Sequence, residues 1–165
     1  MKTPTITSPA AHQDRFLRAF ESNTDRRHAK WAEGTTCAAC GAAFVGGRWI
    51  WTEAPQTGPQ TTCDACTRIE ANTPAGELRL EGAFLADHQD EIMGLIRNEA
   101  DAEGADHPLN RLMGVVEADG ALVVTTTDIH LPRRIGHALE RAYQGELALD
   151  YQAAEEIVRA VWHRD

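Results

Sequence analysis

The chain has 165 residues, of which 42% are hydrophobic and only 6% aromatic, and it carries a formal net charge of −9. That is enough material for one ordinary domain or two small ones. An acidic body of this kind argues against broad, sequence-independent binding to nucleic acid, because long-range steering would be repulsive, though a local basic patch escapes that argument. No apolar run is long enough for a membrane-spanning helix. The segment Met1–Pro9 has no apolar stretch of the kind a secretory signal needs. The expected location is therefore cytoplasmic, where thiols stay reduced and favour metal over disulfide.

Residues 1–33 read as a flexible basic N-terminal arm. Residues 1–36 hold six Lys/Arg against four Asp/Glu. Gln13 to Phe20 has the pattern of a short helix. Arg26, Arg27 and Lys30 lie just before Trp31. Two readings stay open for this segment. It is a solvated leader, or it is an arm that orders on RNA with its cations on phosphates and Trp31 stacking.

Residues 34–76 contain all four cysteines, as Cys37-Ala-Ala-Cys40-Gly41 and Cys63-Asp-Ala-Cys66, with 22 residues between the pairs. Each pair places two thiolates on one turn of backbone. Two such turns brought together offer the four tetrahedral sulfurs of a closed structural Zn²⁺ site. Cys37, Cys40, Cys63 and Cys66 are the predicted metal ligands, and a closed site leaves no position for catalysis. Redox disulfides and an iron–sulfur cluster are the competing readings, but neither pair sits alone after a strand as a thioredoxin motif does. Between the pairs, Phe44-Val45 and Arg48–Trp51 around Gly46-Gly47 predict a hairpin. Period-two geometry would put Trp49 and Trp51 on one face, over the metal site or the next domain. A helix is expected to start at Asp64, straight from the second pair. The order of knuckle, hairpin and helix predicts a treble-clef-like or ribbon-like finger.

Residues 77–165 predict an α+β domain with a net charge of −10. A long amphipathic helix is expected from Phe84 to about Glu103, with Gly104 and Pro108 closing it. Asp119-Gly120 between two apolar runs predicts a hairpin. Asp128 is a candidate N-cap for a helix that runs to about Gln144 and stops at Gly145. Glu146 to Tyr151 reads as a strand. Glu155 to His163 reads as another, with a helix as the alternative. The expected architecture is a ββαββ-like unit after the long helix.

The helix after Thr127 carries a second constellation. His130, Arg133, Arg134, His137 and Arg141 fall on one face, opposite Leu131, Ile135 and Leu139. The row is either an ordinary solvated face or a stripe that contacts phosphates, for which arginine forks are suited. No nucleophile has a readable base and no glycine-rich phosphate loop is present. The chain therefore reads as a non-enzyme.

Several segments resemble a family of small bacterial zinc-finger proteins associated with stress and low-oxygen genes. They are the two cysteine pairs, Gly47-Arg48-Trp49, Gly82–Leu85, Ile96–Glu99, Thr125–His130, Arg133–Gly136 and Tyr143-Gln144-Gly145. That resemblance implies relatives and a stress setting but no activity. The order of cysteine knuckles, strand, arginine-bearing helix and further strands is also similar to the N-terminal region of the large-ribosomal-subunit export adaptor, of the nonsense-mediated-decay-three-like family. This second resemblance implies ribosome binding through zinc knuckles. Only the cysteines carry over from it, as ligands, and that family holds more zinc sites in a longer chain. The expected function is a non-enzymatic zinc-binding factor that docks on the ribosome or another structured RNA, in stress or dormancy. A protein adaptor whose acidic surface binds a basic protein, and a cysteine-based redox sensor, remain the alternatives.

Overall fold

A computed structural model of the chain describes residues 31–152 and 156–165. The expected helix over Gln13 to Phe20 and the arm cations Arg26, Arg27 and Lys30 lie outside the described residues. The rest is α+β, with three helices and two mixed sheets among the described residues. Ala32–Asp165 make up one compact unit.

The smaller sheet has the order β3-β2-β1-β4. Its strands are β1 (Thr35–Cys37), β2 (Ala43–Val45), β3 (Arg48–Ile50) and β4 (Gln60–Thr61). β2 and β3 form the predicted hairpin. Gly46 and Gly47 at its tip both have positive φ, 61° and 80°, as a tight two-residue turn demands. Glu33 holds that turn by accepting the Gly46 amide at 3.0 Å. Trp49 is buried and meets Phe44 edge-on, with ring centroids 5.8 Å apart. Trp51 lies one residue beyond the strand. β3 ends at Ile50, so the alternation stops there, and the Trp51 indole instead donates to the Gly104 carbonyl at 2.7 Å. α1 (Asp64–Ala71) starts at the second cysteine pair, as expected, and ends at Asn72 in the left-handed conformation.

The larger sheet has the order β6-β7-β5-β9-β8. It contains β5 (Gly76–Glu81), β6 (Leu112–Ala118), β7 (Ala121–Thr126), β8 (Glu146–Gln152) and β9 (Ile157–His163). The expected ββαββ unit is present as β6, β7, α3, β8 and β9, with α3 spanning His130–Tyr143. The last segment is the strand that was favoured over a helix. β5 was not foreseen, and it is the middle strand. It runs antiparallel to β7 and parallel to β9. Its Glu77-Leu78-Arg79-Leu80-Glu81 alternates cleanly, and both leucines are fully buried.

α2 (Phe84–Asp106) and α3 cover one face of this sheet. Leu78, Leu80, Ile92, Ile96, Leu131, Ile135, Leu139 and Trp162 form the centre of the core, each at 0% exposure. α2 bends at His88, whose φ of −124° is not helical. There the imidazole stacks on Phe84 at 3.9 Å, and the Arg164 guanidinium lies over the same ring, 3.7 Å from its centroid. Gly104 does not end α2 but lies inside it, and the helix stops two residues before Pro108. Asp128 performs the predicted cap. Its Oδ2 accepts the amides of His130 at 2.7 Å and Leu131 at 3.1 Å. No helix among the described residues is long and apolar enough to cross a membrane.

Candidate metal centre

The knuckle after β1 and the first turn of α1 bring the cysteines together. The sulfurs of Cys37, Cys40, Cys63 and Cys66 all lie within 4.8 Å of one another. Cys40 Sγ and Cys63 Sγ are 3.8 Å apart, and no disulfide joins any pair. A tetrahedron of sulfurs about 2.3 Å from a central ion has edges of roughly 3.8 Å, so the donor set fits a four-coordinate metal. Cys37 and Cys63 are buried, whereas Cys40 and Cys66 are half-buried. Gly41, with φ of 81°, turns the chain back into β2, and its amide donates to the Cys37 carbonyl at 2.9 Å.

The surroundings favour negative sulfur at some positions and resist it at others. Burial pushes the Cys37 thiol up, but amide donors from Cys63, Cys40 and Ala39 outweigh that and hold it at about 6. The Cys63 amide lies 3.3 Å from its sulfur. Burial raises Cys40 and Cys63, and neighbouring sulfurs add to the effect. Four thiols this close cannot all ionise unaided. A divalent cation among them removes that opposition.

Arg111 supplies part of the compensation from outside the finger. Its Nη2 donates to Cys66 Sγ at 3.2 Å and to Cys63 Sγ at 3.6 Å. Burial alone would lower the Arg111 pKa, but the bond to Cys66 and the charge of the other sulfurs raise it. A metal held by four thiolates carries a net charge of about −2, and one guanidinium offsets half of it. Arg111 was not anticipated from the sequence. Nothing in its neighbourhood is a motif, and 45 residues separate it from Cys66.

Arg111 also ties the centre to the start of α3. Its amide donates to Thr127 Oγ1 at 2.9 Å, and the Thr127 amide donates back to the Arg111 carbonyl at 2.9 Å. Thr127 is followed directly by the capping Asp128. A continuous path of contacts thus runs from Cys66 through Arg111 and Thr127 to the N-terminus of α3. Close by, Glu103 accepts from Asn110 at 2.8 Å and from Arg134 at 2.5 Å. Those bonds and the charge of His107 overcome burial and hold the Glu103 carboxyl low.

The five residues of the α3 row have unequal surroundings. His130, Arg134 and Arg141 are exposed, and Arg133 and His137 are half-buried. Arg134 is engaged by α2, with Nε on Glu99 at 2.7 Å and Nη1 on Glu103 at 2.5 Å. Arg133 Nε donates to His137 Nε2 at 3.4 Å, and His137 Nδ1 meets Glu140 at 3.0 Å. Two of the five, Arg134 and His137, are therefore joined to acidic neighbours on α2 and α3.

The fold and the four-sulfur cluster define an α+β protein with a candidate structural metal centre. Comparison with protein-family models, with curated proteins and with solved structures returns no match.

Proposed function

We propose that the chain is a non-enzymatic cytoplasmic factor in which one structural Zn²⁺, held by Cys37, Cys40, Cys63 and Cys66, sets the position of a surface that docks on the ribosome or another structured RNA. The observation that carries this reading is the path Cys66–Arg111–Thr127–α3. It connects the metal centre to the start of the helix that carries the row. The metal's chemistry here is to neutralise four thiolates and to hold the knuckle against α1, since four sulfurs leave no coordination position for substrate. His130, Arg133, His137 and Arg141 meet phosphates. Arg134 joins them only by exchanging Glu99 and Glu103 for phosphate. Arg26, Arg27 and Lys30 add contacts from the arm. The setting suggested by the family resemblance is stress or dormancy.

The test is cosedimentation of the zinc-loaded full-length chain with purified ribosomes at low and moderate salt. Binding that weakens as salt rises, and weakens further in an Arg133→Glu/Arg141→Glu variant, supports the reading. Absence from ribosomal fractions at low salt, from starved as well as growing cells, rejects it.

One observation favours a second reading. Asp87, Asp90, Glu91, Asp101 and Asp106 are all exposed along α2. An adaptor for a basic protein would use that face. A partner recovered after nuclease treatment, and lost when these acids are neutralised, would select it.

A further inference from the structure

β6 is an edge strand, paired with β7 on one side only. The turn that joins them has positive φ at both central positions, 53° at Asp119 and 74° at Gly120. In a two-residue turn of this kind the flanking pair, here Ala118 and Ala121, exchanges both of its hydrogen bonds. The alternation of an antiparallel ladder then directs the amides and carbonyls of Val116 and Ala118 toward β7, and those of Val115 and Glu117 outward. The side chains of the same two residues line a cleft of about 500 Å³ that lies between β6 and α2.

The cleft has a polarity. Met93 from α2 and Val115 from β6 give it an apolar middle, and Leu122 of β7, the register partner of Glu117, lines its inner wall. At one end stand Asp90 and Glu117, where Gln89 Nε2 bridges helix and strand by donating to Glu117 at 2.6 Å. At the other, two helical turns along α2 from Gln89, stands Arg97. Asp90 and Arg97 are exposed. On the opposite face of the strand Val116 is 58% exposed.

We propose that this cleft binds an extended peptide of a partner protein, added to β6 as a sixth strand. A peptide residue directly opposite Val115 or Glu117 points its side chain to the same face as theirs, and so beneath α2. Two residues thus supply both the main-chain bonds that give affinity and the surface that gives selectivity. The charges fix the order of the peptide's alternate side chains. A lysine or arginine faces Asp90 and Glu117, an aliphatic side chain faces Met93 and Val115, and an acidic side chain faces Arg97. This site is separate from the α3 row and does not depend on RNA docking.

The test starts from the full-length chain and a displayed library of random seven-residue peptides. The expected winners carry basic, aliphatic and acidic side chains at alternate positions. Synthetic winners are then N-methylated at single residues. Methylation at the alternate amides that face β6 should weaken binding by about tenfold or more, and methylation at the intervening amides should matter little. A Met93→Glu variant should also lose binding, whereas Val116→Lys, on the far face of the strand, should keep it. An empty selection would overturn the proposal, as would binding indifferent to backbone methylation. So would a dimer of the free chain that Met93→Glu dissolves, because the cleft would then hold a second copy. The methylation series needs no change to the protein, so it decides the matter even if Met93→Glu does not fold.

Discussion

Arg111 Nη2 lies 3.2 Å from Cys66 Sγ, although 45 residues separate the two along the chain. One is in the first turn of α1 and the other is next to β6. A charge-assisted donor to a ligating thiolate lowers the ligand's electron density and its tendency to reprotonate. Arg111→Ala is expected to speed metal loss to a chelator by about 10- to 100-fold. Arg111→Lys should recover part of that loss, because it keeps the charge without the guanidinium fork. Release followed with a chromogenic chelator checks both variants.

Metal affinity should rise steeply with pH. Burial keeps Cys40 and Cys63 protonated in the metal-free cluster, and both must lose their protons to bind. Those two protons alone correspond to a gain of about 100-fold in apparent affinity per pH unit near neutrality. Below about 6, where Cys37 also becomes protonated, the slope should steepen further. Competition titrations at several pH values measure the slope directly. Affinity independent of pH would contradict this account of the thiols.

Asp128 stabilises the fold less at neutral pH than in acid. Burial raises its carboxyl to about 6, against the opposing effect of the His130 and Leu131 amides it caps, and Glu103 adds to the rise. Its Oδ1 is buried without a hydrogen-bond partner. A folded-state pKa above the unfolded value means that the native state binds the proton more tightly. The penalty is therefore absent at low pH, grows between about 4 and 6, and is complete at pH 7, where it is on the order of 3 kcal/mol. Asp128→Asn keeps a capping oxygen and removes the charge. Its stability relative to wild type should rise between pH 5 and pH 7 in denaturant melts. Metal loss in acid affects both proteins and cancels in that difference.

Two glycines should respond in opposite directions to alanine. Gly82 has φ of 112°, and an added Cβ would collide with the Arg164 carbonyl, a backbone atom that also accepts the Phe84 amide. Gly82→Ala should cost at least about 2–3 kcal/mol. Gly94 lies within α2 and a Cβ there would meet no atom within 4 Å. Gly94→Ala should gain about 0.5–1 kcal/mol, the usual difference in helix propensity. Thermal melts of the two variants settle the pair.

What could be read from the sequence was whatever a few neighbouring residues determine. The cysteine knuckles, the Gly46-Gly47 and Asp119-Gly120 turns, the start of α1 at Asp64 and the cap at Asp128 are all signals within five or six residues. β5 escaped although Leu78 and Leu80 alternate with charges, because its partners β7 and β9 lie far along the chain and its charged positions have low strand propensity. β1 and β4 are three and two residues long and carry no periodicity to detect. Arg134 was placed correctly on the polar face of α3. Its carboxylate partners Glu99 and Glu103, four residues apart on α2, carry no local signal of that pairing. Arg111 shows the same limit more sharply, since only the packing of the larger sheet against the finger brings it to the sulfurs.

The interior place of β9 has a consequence in time. β5 and β9, about eighty residues apart in the chain, lie side by side, and Trp162 on β9 fills the centre of the core. During synthesis the cysteine cluster can close early, with its metal, while β5 waits for its neighbour. Until residues 157–163 have emerged, one flank of the middle strand stays bare and the pocket for Trp162 stays hollow. The nascent chain therefore passes through a stage with a finished finger and an open sheet, in which the bare edge of β5 is available to chaperones or to wrong partners.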